Sequence, residues 1–307
     1  MGTYPGQKKR TILLGAENNA LVGLVAVSAI MFVIVTFLQI GYYLSGIPEN
    51  FFIKQVLNWL TLPAEPSVLL SRPWTIFTYM FTHSEVWQLI SNMLWLWAFG
   101  YILQDLMGNR HLAPIFMYGG LVGAFFFLVT VNIFPVLQQQ INVIRPMEGA
   151  GAGLMAVAVA TTALAPNYRI FPLLMGGIPL WVLTLIFVLI DYALIASIGA
   201  GTAVAHLAGG FIGLLYMKAV QRGADWGEWM HQLYHWFFHM FDPKKEDQQR
   251  KQKEKLHYKQ GPAPFKATPK LTQQRVDELL DKISVQGYHS LTDEEKEFLK
   301  KASNDSL

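Results

Sequence analysis

Apolar residues run along this chain in blocks of about 20, the length that carries a helix across a hydrocarbon core of about 30 Å. Six such blocks are expected to be helical spans: residues 20–45, 85–107, 112–134, 150–165, 178–198 and 201–220. The fourth is too short to cross alone at about 1.5 Å per residue. The preceding segment QQINVIRPMEG is therefore expected to dip into the protein to meet it, buried or lining a wet cavity. Between the first two spans, residues 46–84 are rich in aromatics, Pro and Leu without reaching spanning length. Within them FFIKQVLNWL fits a short interfacial helix with Lys54 turned to water.

Polar positions inside these blocks stand out because each is costly at membrane depth. His206 lies in AGTAVAHLAGGFIGLLYM, where Gly201, Ala205, Gly209 and Gly213 make a stripe of small residues along which another helix can approach. His206, Gly209 and Gly213 share one helical face, so the imidazole is expected to point at a packed helix and not at lipid. Asn92 and Gln88 lie one turn apart on one face of the second span; alone, they read as interhelical glue. Asn92 sits about 9 Å below the outer end of its span and His206 about 8 Å below the start of the sixth. The run Gly149, Ala150, Gly151, Ala152, Gly153 opens the fourth span at a similar level. Their convergence on one layer predicts a site cut into the bundle from its outer face. Asp191, in the fifth span, is expected to accept a hydrogen bond from His206, Asn92 or Gln88 and to act as a structural clamp. Arg145 and Glu148 read as solvated loop charges.

Composition narrows the class. Hydrophobic residues make up 52% of the chain and charged residues 15%, which fits a polytopic membrane protein. The excess of Lys and Arg is small, lies mostly in the tail and gives no reason to expect nucleic acid as a partner. With no cysteine, disulfides, thiolate catalysis and Cys-ligated metals are excluded. No short apolar segment followed by a small-residue cleavage site is evident, so residues 20–45 are expected to persist as a span. Lys8, Lys9, Arg10, Arg110, Arg169, Lys218 and Arg222 fall on one side, against Lys54, Arg72 and Arg145 on the other. This asymmetry predicts both termini in the cytoplasm.

The tail opens with GADWGEWMHQLYHWFFHMFDPKK. Trp226, Trp229, Met230, Leu233, Trp236, Phe237, Met240 and Phe241 fall on one helical arc, and His231, His235 and His239 on another. Residues 221–242 are therefore expected to form an interfacial amphipathic helix, its histidines lacking the carboxylate or thiolate that a metal site would add. Residues 243–270 read as a linker. Residues 271–307 read as a small cytoplasmic helical tail, with the stripe Val276, Leu279, Leu280, Ile283, a stop at Gly287, and a capping box of Thr292 with Glu295. Exposed apolar stripes on such short helices suggest a module that docks a cytoplasmic partner or a hairpin that folds back on the interfacial helix.

Over residues 20–220 the chain resembles the rhomboid family of intramembrane serine proteases. The resemblance rests on an Arg-containing aromatic first loop at Arg72-Pro-Trp74, on His83, Gln88 and Asn92 in an HxxxxHxxxN-like pattern, on Gly149 opening a GxS-like motif, and on His206 followed by Gly209 and Gly213. It implies an all-α, six-helix membrane bundle, joined here to the interfacial and short cytoplasmic helices after residue 220. It further implies that His206 is the base of a Ser-His dyad and that Gln88, Asn92, Gly149, Ala150 and His83 line the oxyanion side. Two positions depart from the pattern: Gln88 replaces a histidine, and Gly151 stands where the nucleophilic serine belongs. MEGAGAGLMAVAV contains no serine or threonine, and Thr161 and Thr162 lie about 15 Å deeper. Ser91 projects away from Asn92, and Ser197 lies in a turn with no motif.

Two functions follow. The first is a pseudoprotease that binds single-span or polytopic membrane clients without cutting them. The second is an active endopeptidase with an unrecognised nucleophile. A channel or transporter finds no inverted repeat to support it. No cofactor or metal is expected. The tail resembles that of some bacterial rhomboids, which implies a bacterial inner membrane as the location and the lipid bilayer as the surrounding partner.

Overall fold

The computed structural model describes residues 19–141, 144–170, 177–193, 199–230, 232, 233, 236 and 269–304. Helix α1 (Ala20–Leu44) starts where the Asn19 side chain accepts from the backbone N–H groups of Leu21 and Val22, leaving fewer unsatisfied donors at the helix start. Then come α2 (Glu49–Gln55), a 3-10 turn (Leu57–Trp59), α3 (Pro66–Ser71) and α4 (Thr75–Thr78). In α2, Phe52 is buried and Lys54 is exposed, the division expected of an interfacial segment. The long helices α5 (Val86–Met107) and α6 (Leu112–Ile133) follow, then the single turn α7 (Pro135–Gln138), the 14-residue α8 (Gly151–Leu164), α9 (Leu180–Ala193) and α10 (Ala200–Gln221). Four of these helices, α1, α5, α6 and α10, are long and apolar enough to cross a membrane; α8 and α9 are shorter apolar helices.

The core is built around α8. It is apolar all round, and ten of its residues, including Leu154, Met155 and Val157, are buried, so α8 must be surrounded by other helices. It packs on α5, α6, α9 and, most extensively, α10. At the α8–α10 contact a Cβ on Gly209 would meet the backbone carbon of Ala152 at 2.9 Å, and one on Gly213 the Cα of Ala156 at 2.7 Å. Glycine is required at both, because the opposing surface is backbone and cannot rotate away. The small-residue stripe does not face a single helix. Gly201, at its start, abuts Val131 and Phe127 of α6, and the carbonyl of Ala205 lies close to Gly123 of α6. A step of four residues overshoots one turn by about 40°, so three steps rotate the stripe by about 120°. Conversely, α1 leaves Val27, Ile30, Val33, Ile34 and Phe37 exposed, a face suited to lipid.

The approach to α8 is pinned from outside. Leu62 and Met147 exchange both backbone hydrogen bonds at 2.9 Å, Met147 is buried, and Ile141 and Ile144 pack on the core. The segment before α8 thus enters the protein, with residues 142 and 143 outside those described. Between α8 and α9, β1 (Arg169–Ile170) and β2 (Ile178–Pro179) form a minimal antiparallel pair, which helical periodicity gives no means of anticipating. The expected C-terminal part of the fifth span falls at residues 194–198, outside those described. After α10, Tyr118 Oη donates to the Trp226 carbonyl and accepts from Trp229 Nε1. Arg110 pairs with Asp225 at 2.9 Å and with Glu228. His231, His235 and His239 lie outside the described residues.

The chain divides into two compact units, Met1–Trp236 and Phe237–Leu307. The second holds α11 (Pro269–Gln286) and α12 (Asp293–Asn304). Gly287, at φ 79°, ends α11. The Glu295 carboxylate accepts from Thr292 N–H at 2.9 Å while Thr292 Oγ1 accepts from Glu295 N–H at 3.3 Å, the two reciprocal bonds of a capping box. Lys282 joins the helices through Glu295 at 2.9 Å, and Leu279 and Leu291 are buried.

Candidate functional site

The N-terminal turns of α5, α8 and α10 meet at one end of the bundle. Gly151, first residue of α8, faces the imidazole of His206 on α10. A Cβ on Gly151 would overlap the ring, and even the more distant Cδ2 would be only 3.1 Å away. His206 is 7% exposed. Its Nδ1 lies 2.8 Å and 3.0 Å from the two carboxylate oxygens of Asp191 on α9. Of the three partners open to Asp191 in the sequence, the structure selects His206.

A second cluster fixes the turn before α8. His83 is fully buried. Its Nδ1 lies 3.2 Å from the Phe81 carbonyl, which can only accept, so Nδ1 carries the proton. Nε2 is left to accept from Asn92 Nδ2 at 3.1 Å and from Ala150 N–H at 3.4 Å. Burial pushes the His83 pKa down to about 4, against a smaller upward effect of the Phe81 carbonyl, so the ring is neutral at pH 7. Gly149 N–H donates to the Tyr79 carbonyl at 2.8 Å. Gly149 has φ 95°, and a Cβ there would sit 2.8 Å from Gln88 Nε2. A side chain at this position would be both strained and crowded. Gln88 Nε2 donates to the Glu148 carbonyl at 3.4 Å, while Gln88 Oε1 is buried without a partner. His83, Gln88 and Asn92 therefore surround the Gly149–Ala150 turn, and His206 closes over Gly151 immediately after it.

Glu148 departs from its reading as a solvated charge. It accepts from Ser84 Oγ, its other oxygen is buried without a partner, and burial raises its pKa despite that bond and the charge of Arg145. Arg145 is exposed, as a solvated charge should be. The contrast arises because Glu148 directly abuts the buried glycine run. That adjacency was the available signal, since a side chain one residue from a buried turn has little room to reach water. Ser84 carried no motif and could not be singled out from sequence.

The deeper threonine hydroxyls are otherwise engaged. Thr161 Oγ1 donates to the Val157 carbonyl at 2.6 Å, and Thr162 lies within hydrogen-bonding distance of both the Ala158 carbonyl and Thr184. Ser91 is exposed, and Ser197 lies outside the described residues. None of the described hydroxyls bonds His206. The arrangement can therefore orient an imidazole and surround a turn with amide donors, but it presents no nucleophile on Gly151.

Comparison with known proteins adds two findings. Residues 70–222 match the model of the rhomboid domain, and residues 265–305 match a family of unknown function, DUF6576. Rhomboid protein 1, mitochondrial, of Saccharomyces cerevisiae is 32% identical over 151 residues, covering 46% of this chain and 41% of that protein. The chain thus matches about two-fifths of the length of that relative.

Proposed function

This chain belongs to the rhomboid family, and from that premise we propose that it is a pseudoprotease, a multi-pass membrane protein that receives membrane-spanning segments of client proteins and does not cleave them. One observation carries the reading: the residue beneath the His206 imidazole is Gly151, which has no side chain with which to attack a peptide bond. In a Ser-His dyad the imidazole takes the hydroxyl proton as oxygen attacks the carbonyl. Loss of that oxygen costs on the order of a million-fold in turnover. The lipid bilayer and single-span or polytopic proteins are the proposed partners. The proposed location is a bacterial inner membrane, from the resemblance of the tail to that of some bacterial rhomboids, and the distribution of Lys and Arg supports both termini being cytoplasmic.

A second reading, an active intramembrane endopeptidase, draws support from the Asp191–His206 contact, since a base oriented in this way is what acyl transfer uses. Labelling of the full chain with a serine-directed fluorophosphonate separates the two. The pseudoprotease reading expects no covalent adduct and no cleavage of model rhomboid substrates. An adduct on any hydroxyl near His206 would establish the second reading.

A further inference from the structure

His206 has two ring nitrogens with different surroundings. Nδ1 is held by both oxygens of Asp191, whereas no described residue bonds Nε2, which lies over Gly151. The Asp191 and His206 side chains are 17% and 9% exposed, so the pair is shielded from competing water. It also bridges two helices, α9 and α10. Both carboxylate oxygens face Nδ1 and can accept there, which places a hydrogen on Nδ1, and a neutral ring so held has its lone pair on Nε2.

We propose that Asp191 is a positioning residue that holds His206 in the Nδ1–H tautomer, making Nε2 a standing acceptor over Gly151 that selects client spans bringing a hydroxyl or a free amide N–H to that depth. The selection rests on the client-binding reading above; the tautomer does not. Donors are scarce where helices cross a membrane. Lipid tails offer none, and the backbone N–H groups of an intact helix are already bonded within it. A span that satisfies Nε2 must carry a donor side chain such as Ser, Thr, Asn, Gln, Tyr or Trp at this level, or must open its helix there. Because Gly151 offers no hydroxyl of its own, the acceptor is left to the client. The opposite tautomer would present Nε2–H, a donor, which any client acceptor satisfies, a carbonyl or a hydroxyl oxygen alike. Asp191 thus sets the polarity of the site without touching the client.

The test has two arms on the full chain in lipid nanodiscs. The first is 15N NMR of the histidines, with His206 assigned by the signal lost in His206→Gln. An unprotonated Nε2 is expected in the wild type and in Asp191→Asn, whose side-chain oxygen still accepts, and Nε2–H should appear in Asp191→Ala. Thermal melts check that each variant is folded, and Asp191→Asn keeps the comparison open should Asp191→Ala fail to fold. The second arm measures photo-crosslinking of two single-span peptides that differ only by Ser or O-methylserine at the depth of His206, because the methyl ether still accepts but cannot donate. The wild type should prefer the Ser peptide about five-fold, the worth of one hydrogen bond, and Asp191→Ala should lose the preference while Asp191→Asn keeps it. A protonated Nε2 in the wild type, or a tautomer unchanged in Asp191→Ala, overturns the role of Asp191. A Ser preference that survives Asp191→Ala overturns the selection. Failure to bind either peptide overturns the client-binding reading and the selection with it, while the NMR arm still decides the tautomer.

Discussion

The side chain missing from Gly151 and the imidazole occupying its space are two parts of one condition. A serine introduced there would press its Cβ against the His206 ring, well inside van der Waals contact, and that ring is tethered on its far nitrogen by Asp191. Overpacking of this kind costs about 1 to 3 kcal/mol. Gln88 would still replace a histidine, and one oxyanion donor can be worth about 3 kcal/mol in the transition state. We predict that Gly151→Ser alone restores little or no cleavage of a helix-destabilised span in liposomes; robust cleavage would mean the scaffold is still arranged for catalysis. A second prediction concerns His83, whose pKa falls from 6.5 to about 4 on burial. Between those values the unfolded chain binds a proton that the folded chain does not, so stability drops as pH falls through that window, by about 3 kcal/mol at full extent. Glu148, with its pKa raised, acts in the opposite sense and loses its contribution as pH rises above its ordinary value of 4.5. The stability gap between wild type and His83→Gln should therefore narrow from pH 7 to pH 4.5 in detergent melts, and a gap independent of pH would contradict the account. His206, Asn92 and Gly151 were recognisable in the sequence because motif spacing marks them. The partner of Asp191 and the burial of Glu148 were not, because both depend on the rotation and approach of neighbouring elements.

At the scale of elements, hydrophobic block length indicated the spans, since a helix that crosses lipid must be apolar for most of its length. The shortness of α8 was equally legible. What the pattern left out is which helix the small-residue stripe faces, because the drift per turn divides it between α6 and α8. Gly209 and Gly213 carry the α8 part. Gly213→Ala would drive a Cβ to 2.7 Å from the Ala156 Cα, and with backbone opposite, the two helices must separate. The expected result is a fall in thermal stability of at least about 1 to 3 kcal/mol, whereas Gly223→Ala, which meets nothing within 4 Å, reports the cost of its positive φ alone. A melt of Gly213→Ala indistinguishable from wild type would refute this packing. In the second unit, Thr292→Ala removes one bond of the capping box and should cost α12 about 1 kcal/mol. Hydrogen exchange over residues 293–304 should quicken accordingly, with α5 and α6 unaffected.

For the whole molecule, the rhomboid domain supplies a membrane bundle whose interior meets polar chemistry at one end, and the tail adds a small helical unit of its own. Composition and block length made the membrane class legible, and motif spacing made the family legible. The span that the proposed pseudoprotease would receive was not, because partner choice depends on a second chain's sequence. The central claim is that this bundle engages a membrane span and leaves it intact. It is tested most directly by reconstituting the full chain in liposomes with a single-span protein carrying a photo-crosslinker at the depth of His206, then following crosslinked and cleaved products by mass spectrometry. The account predicts a crosslinked adduct containing the uncut client and no cleavage fragment. Release of a fragment whose new terminus lies within the span, lost in His206→Ala, would contradict it.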